Sequence, residues 1–475
     1  MKRRYQNGCI IKDLNKKLYK FHFLGVGGIG MSALAALMAK LGFMVSGCDN
    51  AVPDKRVTQI LSDAGVSFLP GHSPQHVSEI DCLVYTSAVS KKHPEIITAQ
   101  NRGIKILHRS EMLAELMQQY KSAITVAGAH GKTSTSALIA WILHSAGLEP
   151  TVVIGGVASN FVSNMCNGDN NLFVAEADES DRSFLRYKPS IAVITNIDTD
   201  HLDTYKDLDD VEQTFLSFLG KVKVGGLAIV CSDNESVRKV LPDVKARVIT
   251  YGVEEKFRPT FLARNIVEKR RGSEFDFVER DKIFKKLYLP IPGQYSVLNA
   301  LAAIAAAREY GVNFEAIAEA LKTFCGVERR FEFKGNFNGA MIFDDYAHHP
   351  AEMIKAVEVA RRLAKGKLYI AFQPHRFTRT QRLWHEFVGF FTKVAVNKFF
   401  VFNVYPASEK SIKDICSIRL VKEISALRGD GVVEYYSNFA DATKFFAKTL
   451  QEGDVLLTLG AGDAYKIGDE LIRLV

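Results

Sequence analysis

A lysine and a threonine behind a glycine-bracketed loop are the side chains of this sequence best suited to phosphate chemistry. They are Lys132 and Thr133 in SAITVAGAHGKTSTSALIAWILHSAG, and they follow the loop 128–131. An apolar run before the loop predicts a strand, and the apolar periodicity after it predicts a helix. Inward-facing N–H groups and a helix N-terminus bind a triphosphate, the lysine adds charge, and the threonine offers a hydroxyl to Mg²⁺. The pattern predicts a P-loop, although Val126 stands where the usual first glycine lies.

A second glycine-rich turn lies near the start, in KFHFLGVGGIGMSALAALMAKLGFMVSGCD. Gly25, Gly27 and Gly30 have GxGxxG spacing between a predicted strand and helix, and Asp49 ends the next predicted strand. Such glycines let a diphosphate approach the helix N-terminus, and the acid can accept hydrogen bonds from a ribose. Taken alone, the turn predicts an NAD-dependent oxidoreductase, but the glycines recognise a diphosphate and not a nicotinamide.

Two acidic runs follow predicted strands of the central region. LFVAEADESDRSFL carries Glu176 and three further acids, and SIAVITNIDTDHLD carries His201 among aspartates. The carboxyl ends of parallel strands meet at one edge of a sheet, where the P-loop also lies. Carboxylate oxygens at that edge are the ligands that Mg²⁺ takes when it bridges phosphates. The runs therefore predict a magnesium site beside the P-loop.

Histidines and arginines follow two predicted strands in the last third of the chain. The segments are DDYAHHP, from 344 to 350, and QPHRFTR, from 373 to 379. The arginine fork suits carboxylate or phosphate recognition, so these strand ends predict an anion site.

The elements that position these residues alternate between strand and helix. This pattern predicts an α/β protein of three domains, each with a mostly parallel Rossmann-like sheet. Residues 261–289 alternate as short charged strands and predict an antiparallel appendage on the central, P-loop ATPase-type domain. We place the domains at 1–120, 121–328 and 329–475.

The composition and net charge of the sequence further limit the kind of protein that we expect. The 475 residues carry a net charge of +8 with both signs interspersed, which is too weak an excess to indicate nucleic acid binding. The seven cysteines are scattered without a CxxC pair, so we expect a reduced cytoplasmic setting and no zinc framework. We find neither a signal-peptide core nor an apolar run of membrane-spanning length, so we expect a soluble protein without membrane insertion.

Taken together, the motifs resemble those of the Mur ligases of peptidoglycan synthesis. The matching segments cover nearly the whole chain and are GVGGIGMS, GAHGKTST, EADESDRSFL, TNIDTDHLD, GVERRFE, DDYAHHPAE, FQPHRFTRT and LGAGD. The resemblance implies a UDP-sugar domain, an ATP domain and an amino-acid domain, in that order. It implies that ATP phosphorylates the carboxylate of UDP-N-acetylmuramate and that L-alanine then displaces the phosphate. A monomer or a weak homodimer is expected.

The resemblance also implies roles for individual residues. Contacts to ATP are implied for Gly128, His130, Gly131, Lys132, Thr133, Ser134, Asn299, Arg329 and Asp345. Metal ligation, with Mg²⁺ as the ion, is implied for Thr133, Glu176 and His201. Contacts to the sugar nucleotide are implied for Gly25, Gly27, Gly28, Gly30, Asp49, Ser87 and Arg109. Contacts to alanine and the transferred phosphoryl group are implied for His349, His375, Arg376 and Arg379. Catalytic roles are implied for Lys132, Glu176, His201, His349 and Arg376.

The sequence departs from the family pattern at three places. Tyr295 and Ser296 stand where the family usually has His-Asn, and Arg182 stands where Gly is common. The alternatives are a family member that joins a preformed tripeptide to the same UDP-sugar and, outside the family, the NAD-dependent enzyme or a nucleotide-dependent binding switch. A tripeptide ligase is expected to carry Tyr where Ser180 stands, so the sequence favours the alanine reaction.

Overall fold

The computed structural model of the protein describes residues 19–50, 52–168, 171–198, 204–280, 282–407, 409–429 and 431–475. The chain divides into an N-terminal unit, which ends at Val327, and a C-terminal unit, Glu328–Val475. Among the described residues, the N-terminal unit holds two sheets and the C-terminal unit one. The domain limits at 120 and 328 stay predictions.

The first sheet has five parallel strands in the described part of the chain, in the order β3-β2-β1-β4-β5. The strands are β1 Lys20–Leu24, β2 Met44–Asp49, β3 Ser67–Pro70, β4 Cys82–Tyr85 and β5 Lys105–His108. The helices are α1 Ile29–Lys40, α2 Lys55–Ala64, α3 Pro94–Asn101 and α4 Arg109–Met117. The glycine turn lies between β1 and α1, where the sequence places it.

The central sheet has ten strands within the described ranges, in the order β15-β14-β13-β12-β11-β10-β6-β9-β7-β8. Its strands are β6 Ser122–Ala127, β7 Thr151–Ala158, β8 Ser163–Cys166, β9 Leu172–Glu176, β10 Ile191–Ile194, β11 Leu227–Cys231, β12 Arg247–Gly252, β13 Phe261–Lys269, β14 Gly272–Glu279 and β15 Lys282–Leu289. Its helices are α5 Lys132–Ser145, α6 Leu208–Leu219, α7 Glu235–Val240, α8 Gln294–Glu309 and α9 Phe314–Lys322. The last two strands pair antiparallel, which confirms the predicted appendage.

The C-terminal sheet has the order β16-β17-β21-β18-β19-β20 across the described residues. Its strands are β16 Glu332–Phe337, β17 Ala340–Asp345, β18 Leu368–Phe372, β19 Lys398–Phe402, β20 Val433–Tyr436 and β21 Val455–Leu459. Its helices are α10 Pro350–Leu363, α11 Phe377–Arg382, α12 Trp384–Lys393, α13 Ser417–Arg428, α14 Phe439–Thr449 and α15 Tyr465–Arg473. Among the described strands of this sheet, only β16 runs antiparallel to its neighbour, so the predicted fold class is confirmed.

Packing explains why the first two sheets form one unit. A single apolar cluster includes Leu34 of α1 as well as Phe173 of β9 and Phe215 of α6. The buried Asn164 of β8 donates to the backbone oxygen of Ile29 at 2.7 Å, across the two sheets. Apolar burial supplies most of the stabilisation here, and this buried amide has a partner that limits its desolvation cost.

Two further features concern the cysteines and the hydrophobicity of the helices. The six described cysteines are all free thiols. No helix in the part of the chain that the structure describes is both long and apolar enough to cross a membrane.

Candidate active site

The P-loop of the N-terminal unit is shaped by two glycines in the left-handed region. Gly128 has φ +138° and Gly131 has φ +83°, between the end of β6 and the start of α5. A Cβ at Gly128 would lie 2.1 Å from Thr195 Oγ1, so the strand end leaves no room for a side chain. Gly131 caps α5 without a side-chain hydrogen bond, so N–H groups of the first helical turn face the loop. The backbone geometry is that of an anion site.

Two residues that follow β10, Thr195 and Asn196, form hydrogen bonds with the backbone of this loop. Asn196 Oδ1 accepts from the N–H of His130 at 2.9 Å, and Asn196 Nδ2 donates to the His130 carbonyl at 2.9 Å. Thr195 Oγ1 donates to the same carbonyl at 2.6 Å. The His130 backbone is therefore fixed from both sides, and its imidazole lies 3.8 Å from Asp198.

Lys132 folds back onto its own loop. Its Nζ donates to the carbonyls of Gly128 at 2.6 Å and Ala129 at 3.2 Å, and to Glu179 Oε1 at 2.8 Å. Burial disfavours the charge, but Glu179 and the neighbouring carboxylates raise the pKa of Lys132 above its ordinary value. A phosphate oxygen that binds this ammonium would compete with Glu179 for it.

Thr133 and Glu176 form the predicted metal pair. Thr133 Oγ1 donates to Glu176 Oε2 at 2.9 Å, and the Gly155 N–H donates to the same oxygen at 2.8 Å. A Cβ at Gly155 would lie 2.7 Å from that oxygen, so the close approach depends on glycine. A hydroxyl beside a carboxylate is a hard oxygen set that fits Mg²⁺. The third predicted ligand, His201, lies outside the described residues.

Helix α8 supplies the predicted nucleotide-side residue. Asn299 is buried, and its Oδ1 would lie 2.7 Å from a Cβ at Gly131, so the amide reaches the start of α5. Ser296, which departs from the family pattern, donates its hydroxyl to the Pro292 carbonyl at 3.0 Å. Ser134 lies in the first turn of α5. Contacts of these residues with ATP stay predictions.

The glycine turn of the first sheet is tied to β2. The N–H groups of Gly25 and Val26 donate to the Cys48 carbonyl at 2.9 and 3.0 Å. Asp49 Oδ2 accepts from the Gly27 N–H at 3.0 Å, so this acid supports the turn as well as standing where a ribose contact is predicted. Gly28 precedes α1 without a side-chain cap, which leaves the helix N-terminus open to an anion.

Residues predicted to bind the sugar nucleotide also contact the DESD segment of the central sheet. Arg109 Nη2 donates to Asp178 Oδ2 at 3.4 Å, and a Cβ at Gly30 would lie 2.6 Å from Arg109 Nη1. Ser87 donates to Asp181 and lies 2.9 Å from His108 Nε2. Burial opposes ionisation of Asp178, but Lys132 and Arg109 lower its pKa below the ordinary value. The structure thus joins the sugar-nucleotide residues and the P-loop lysine through one acidic segment.

Arg182 shows the physical reason for a glycine at this position in the family pattern. Its φ is +59°, a conformation that favours glycine. The side chain of Arg182 pairs with Asp210, donates to the Thr204 carbonyl at 3.3 Å, and lies over the Tyr205 ring at 4.7 Å. These contacts offset part of the backbone cost.

In the C-terminal unit, an arginine connects two strand ends. Arg329 Nε donates to Asp344 Oδ2 at 3.2 Å, and Nη2 donates to the carbonyls of Gly460 at 2.6 Å and Gly462 at 2.9 Å. Asp345 accepts from the N–H of Ala347 at 2.7 Å. Burial raises the pKa of Asp344 to about 6 and that of Asp345 to about 7.

The predicted anion site of this unit is a histidine and arginine cluster. Arg379 Nη1 lies 2.9 Å from His375 Nδ1, and the His375 ring stacks on Tyr405 at 5.6 Å. The ring centroid of His348 lies 5.8 Å from that of His375. Burial, together with His348 and the arginines, lowers the pKa of His375 to about 3, and burial lowers that of His348 to about 4. Both imidazoles are therefore neutral at pH 7, beside a cationic guanidinium.

The other two predicted residues have separate structural roles. Arg376 has φ +68°, donates its N–H to the Tyr405 carbonyl at 2.8 Å, and has an exposed side chain. His349 precedes α10, and its Nδ1 accepts from the Ala351 N–H at 3.4 Å. Their contacts with a substrate stay predictions.

Three members of these clusters have no individual role predicted from the sequence. Glu179 was recognised only as one of several acids, yet it holds Lys132 from 47 positions away. Tyr405 and His348 line His375, and only the adjacency of the two histidines in the HHP segment pointed to His348. The signal for Glu179 and Tyr405 is tertiary, because each contact joins separate strand ends.

Comparisons with known proteins identify the family to which the chain is similar. Family models described as Mur ligase catalytic, middle and glutamate ligase domains match residues 20–121, 126–307 and 329–462. The UDP-N-acetylmuramate–L-alanine ligase of Desulforapulum autotrophicum is 42% identical, over 97% of this chain and 99% of its own. The chain belongs to the Mur ligase family. The resemblance inferred from the motifs is therefore confirmed.

Solved structures show the same Mur ligase fold. A UDP-N-acetylmuramate–alanine ligase from Thermotoga maritima matches with a TM-score of 0.79 and 26% identity, over 96% of this chain and 98% of its own. A murein peptide ligase from Psychrobacter arcticus matches with a TM-score of 0.71 and 25% identity, over the same shares of both chains. This Mur ligase is thus similar in structure to a UDP-N-acetylmuramate–alanine ligase and to a murein peptide ligase.

Proposed function

We propose that the protein joins L-alanine to the carboxylate of UDP-N-acetylmuramate at the expense of ATP, as an amide-forming ligase of peptidoglycan precursor synthesis. The observation that carries this proposal is the identity of 42% to an L-alanine ligase over 97% of the chain. The P-loop, the glycine turn and the histidine and arginine cluster supply sites for the three substrates.

The first half-reaction needs the P-loop. A carboxylate is a poor electrophile, so its oxygen attacks the γ-phosphorus of ATP, the bond to the β-γ bridging oxygen breaks, and ADP leaves. The N–H groups at the start of α5 hold the phosphates, and Lys132 exchanges Glu179 for a phosphate oxygen. The product is an acyl phosphate.

Thr133, Glu176 and His201 are the residues proposed to hold Mg²⁺. The hydroxyl and carboxylate oxygens of the first two lie 2.9 Å apart and fit the ion by donor type. Bound there, the ion would neutralise phosphate charge and orient the γ-phosphoryl group for in-line attack.

The second half-reaction needs an anion site for the amino acid. We assign the carboxylate of L-alanine, or the phosphoryl oxygens, to Arg376, Arg379, His349 and His375. A guanidinium binds a carboxylate through two parallel N–H bonds, and the neutral imidazole of His375 leaves Arg379 its full charge. The amine then attacks the acyl carbon, and phosphate leaves through a tetrahedral intermediate.

A cytoplasmic setting and a monomer or weak homodimer complete the proposal. The free thiols of the six described cysteines favour a reducing compartment, where ATP and sugar nucleotides are also found. Sedimentation at several protein concentrations tests the assembly state, because a weak dimer dissociates on dilution.

The function is tested by phosphate release from ATP with Mg²⁺ and UDP-N-acetylmuramate. We expect release only when both the sugar nucleotide and L-alanine are present, and mass spectrometry should identify the alanyl amide. Release that requires the tripeptide L-alanyl-γ-D-glutamyl-meso-diaminopimelate instead would replace the proposal with the tripeptide reaction. Absence of release under all conditions would reject both.

A further inference from the structure

A group of metal-ligating side chains lies in the first sheet, outside the site described above. Its members are His22 of β1, Cys48 of β2, His76 in the short helical turn Pro74–Val77, and Glu95 of α3. One donor atom from each of these four residues lies within 4.8 Å of all the others. His22, Cys48 and Glu95 are fully buried, and the His76 side chain is 17% exposed. The group therefore has a buried centre and one side near solvent.

The separations of the donor atoms suit a tetrahedral ion. His22 Nε2 lies 3.3 Å from Cys48 Sγ and 3.4 Å from Glu95 Oε2. Glu95 Oε1 lies 3.4 Å from Cys48 Sγ and 3.6 Å from His76 Nδ1. Ligands at zinc bond lengths of about 2.0–2.3 Å stand about 3.3–3.8 Å apart at the corners of a tetrahedron. With a single carboxylate oxygen, His22 Nε2, Cys48 Sγ and Glu95 Oε2 lie 3.3, 3.4 and 3.5 Å apart and match three edges of such a tetrahedron. The fourth member, His76, approaches the other carboxylate oxygen, with Nδ1 3.6 Å from Oε1.

Neighbouring groups orient the donors toward a common centre. His22 Nδ1 lies 2.9 Å from Ser46 Oγ, which places the other ring nitrogen toward Cys48 and Glu95. The Ser73 N–H donates to Glu95 Oε1 at 2.9 Å and fixes the carboxylate. A metal-bound imidazole has such a partner on its second nitrogen, and a metal-bound carboxylate is itself hydrogen-bonded.

Two features of the group call for a cation. His76 Nδ1 is buried and has no hydrogen-bond partner among the described residues. The fully buried Glu95 carboxylate lies beside the other three members, which all carry potential metal-binding atoms, and His72 Nδ1 lies a further 3.5 Å from it. A buried polar group without a partner costs about 1–3 kcal/mol, and a metal ion satisfies several such groups at once.

We propose that His22, Cys48, His76 and Glu95 form a structural site for a thiophilic divalent cation of the Zn²⁺ class. One sulfur, two imidazole nitrogens and one carboxylate oxygen make a closed tetrahedral set without an open position for a substrate. The donors come from separate segments, so no CxxC or similar motif reveals them. The site lies next to the glycine turn, because the Cys48 carbonyl accepts from the Gly25 and Val26 N–H groups.

Cobalt substitution of the full-length chain tests the site independently of the ligase reaction. The protein is stripped with a chelator, desalted and titrated with Co²⁺ in the absence of nucleotides. We expect one Co²⁺ per chain with intense tetrahedral d–d absorption and an ultraviolet thiolate-to-cobalt charge-transfer band, both removed by one equivalent of Zn²⁺. Thr133 and Glu176 carry no sulfur, so Co²⁺ bound at the P-loop would not produce that band.

Matched variants assign the ligands. Cys48→Ser should remove the charge-transfer band, whereas Cys82→Ser should keep it, because Cys82 is equally buried on β4 but outside the group. His76→Gln should weaken Co²⁺ binding more than about 10-fold, since loss of even an outer partner costs about 10- to 100-fold. His76 is partly exposed, so this variant should keep the native circular dichroism if Cys48→Ser does not fold.

The outcomes separate the metal site from a buried hydrogen-bond network. Zn²⁺ should raise the Tm of the stripped wild type, and at the same Zn²⁺ concentration it should raise that of His76→Gln by less. Failure of the stripped protein to bind Co²⁺ with a thiolate band would overturn the proposal and leave the group as a network of internal hydrogen bonds. Retention of the band in Cys48→Ser would overturn it as well.

Discussion

The P-loop of the N-terminal unit and the histidine and arginine cluster of the C-terminal unit are two proposed anion sites that differ in composition. The P-loop consists mainly of backbone, with glycines at positive φ and N–H groups at the start of α5. The cluster consists of side chains, with His375 placed between Arg379 and the Tyr405 ring. Backbone sites depend on the absence of Cβ atoms, whereas side-chain sites depend on charge and protonation. We therefore expect the P-loop to be sensitive to added side chains and the cluster to be sensitive to changes of charge and pH.

We expect the largest loss of activity when the charge of Lys132 is removed from the P-loop. Lys132→Ala should reduce phosphate release at least about a thousandfold, because a charge at 4 Å and an effective dielectric near 20 contributes about 4 kcal/mol. UDP-N-acetylmuramate binding should change much less than turnover, since the glycine turn belongs to another sheet and Lys132 is linked to Arg109 only through the DESD segment. Steady-state phosphate release and calorimetric titration with the sugar nucleotide measure the two quantities.

The matched control is Lys245→Ala, which removes an exposed lysine of the same unit. It should retain wild-type turnover and affinity. A loss of sugar-nucleotide affinity in Lys132→Ala as large as the loss of turnover would contradict the assignment of the two substrates to separate sheets. Turnover within tenfold of wild type would remove Lys132 from the catalytic residues.

A second substitution tests the backbone argument itself. Gly128→Ala and Gly147→Ala both place a Cβ at positive φ, but only Gly128 is crowded, with Thr195 Oγ1 at 2.1 Å. Both should lose stability because a side chain is disfavoured at positive φ, by about 1–2 kcal/mol at Gly147. Gly128→Ala should lose about 1–3 kcal/mol more through overpacking, together with ATP affinity. Urea denaturation and nucleotide titration compare the two variants, and equal losses would show that strain at φ, not crowding, limits the P-loop.

The same contrast explains what the sequence could predict. The P-loop and the glycine turn are recognisable because residues within one strand, loop and helix specify them. The contact of His348 with His375 is not recognisable in this way, because β17 and β18 are separated in the sheet by β21, the last strand in the chain. The Glu179 contact with Lys132 likewise depends on β9 pairing beside β6. Local geometry follows from local residues, whereas partners at strand ends require the strand order.

The C-terminal unit should respond to pH through Asp345. Burial raises the pKa of Asp345 to about 7 from an ordinary value of 3.8, so the folded state binds more protons than the unfolded state between these values. The contribution of Asp345 to the free energy of unfolding is full below pH 3.8 and is lost as the pH rises through 7. Asp345→Asn cannot titrate, so the stability of wild type relative to this variant should fall between pH 4 and 7.

Urea denaturation at several pH values measures this slope. Asp441→Asn is a suitable control, because Asp441 is exposed on α14 of the same unit. A wild-type stability that stays parallel to that of Asp345→Asn across the window would show that Asp345 is ionised throughout. In either case, the free energies of unfolding of wild type and Asp345→Asn should differ by a constant amount. Both carboxylate oxygens of Asp345 accept N–H groups, and an asparagine can replace only one of them.

The smallest effect is expected at Arg182, where a backbone position that favours glycine carries a charged side chain. Arg182→Gly loses the contacts with Asp210 and Tyr205 but relieves the strain of φ +59°. Arg182→Ala loses the same contacts and keeps the strain. Relief of the strain stabilises the glycine variant by about 1–2 kcal/mol, and the greater flexibility of glycine in the unfolded chain costs about 0.5–1 kcal/mol. The glycine variant should therefore be more stable than the alanine variant by up to about 1.5 kcal/mol. If the alanine variant were the more stable one, the left-handed conformation would belong to the arginine contacts and not to the loop. The positive φ at position 182 would then not explain why glycine is common there in the family.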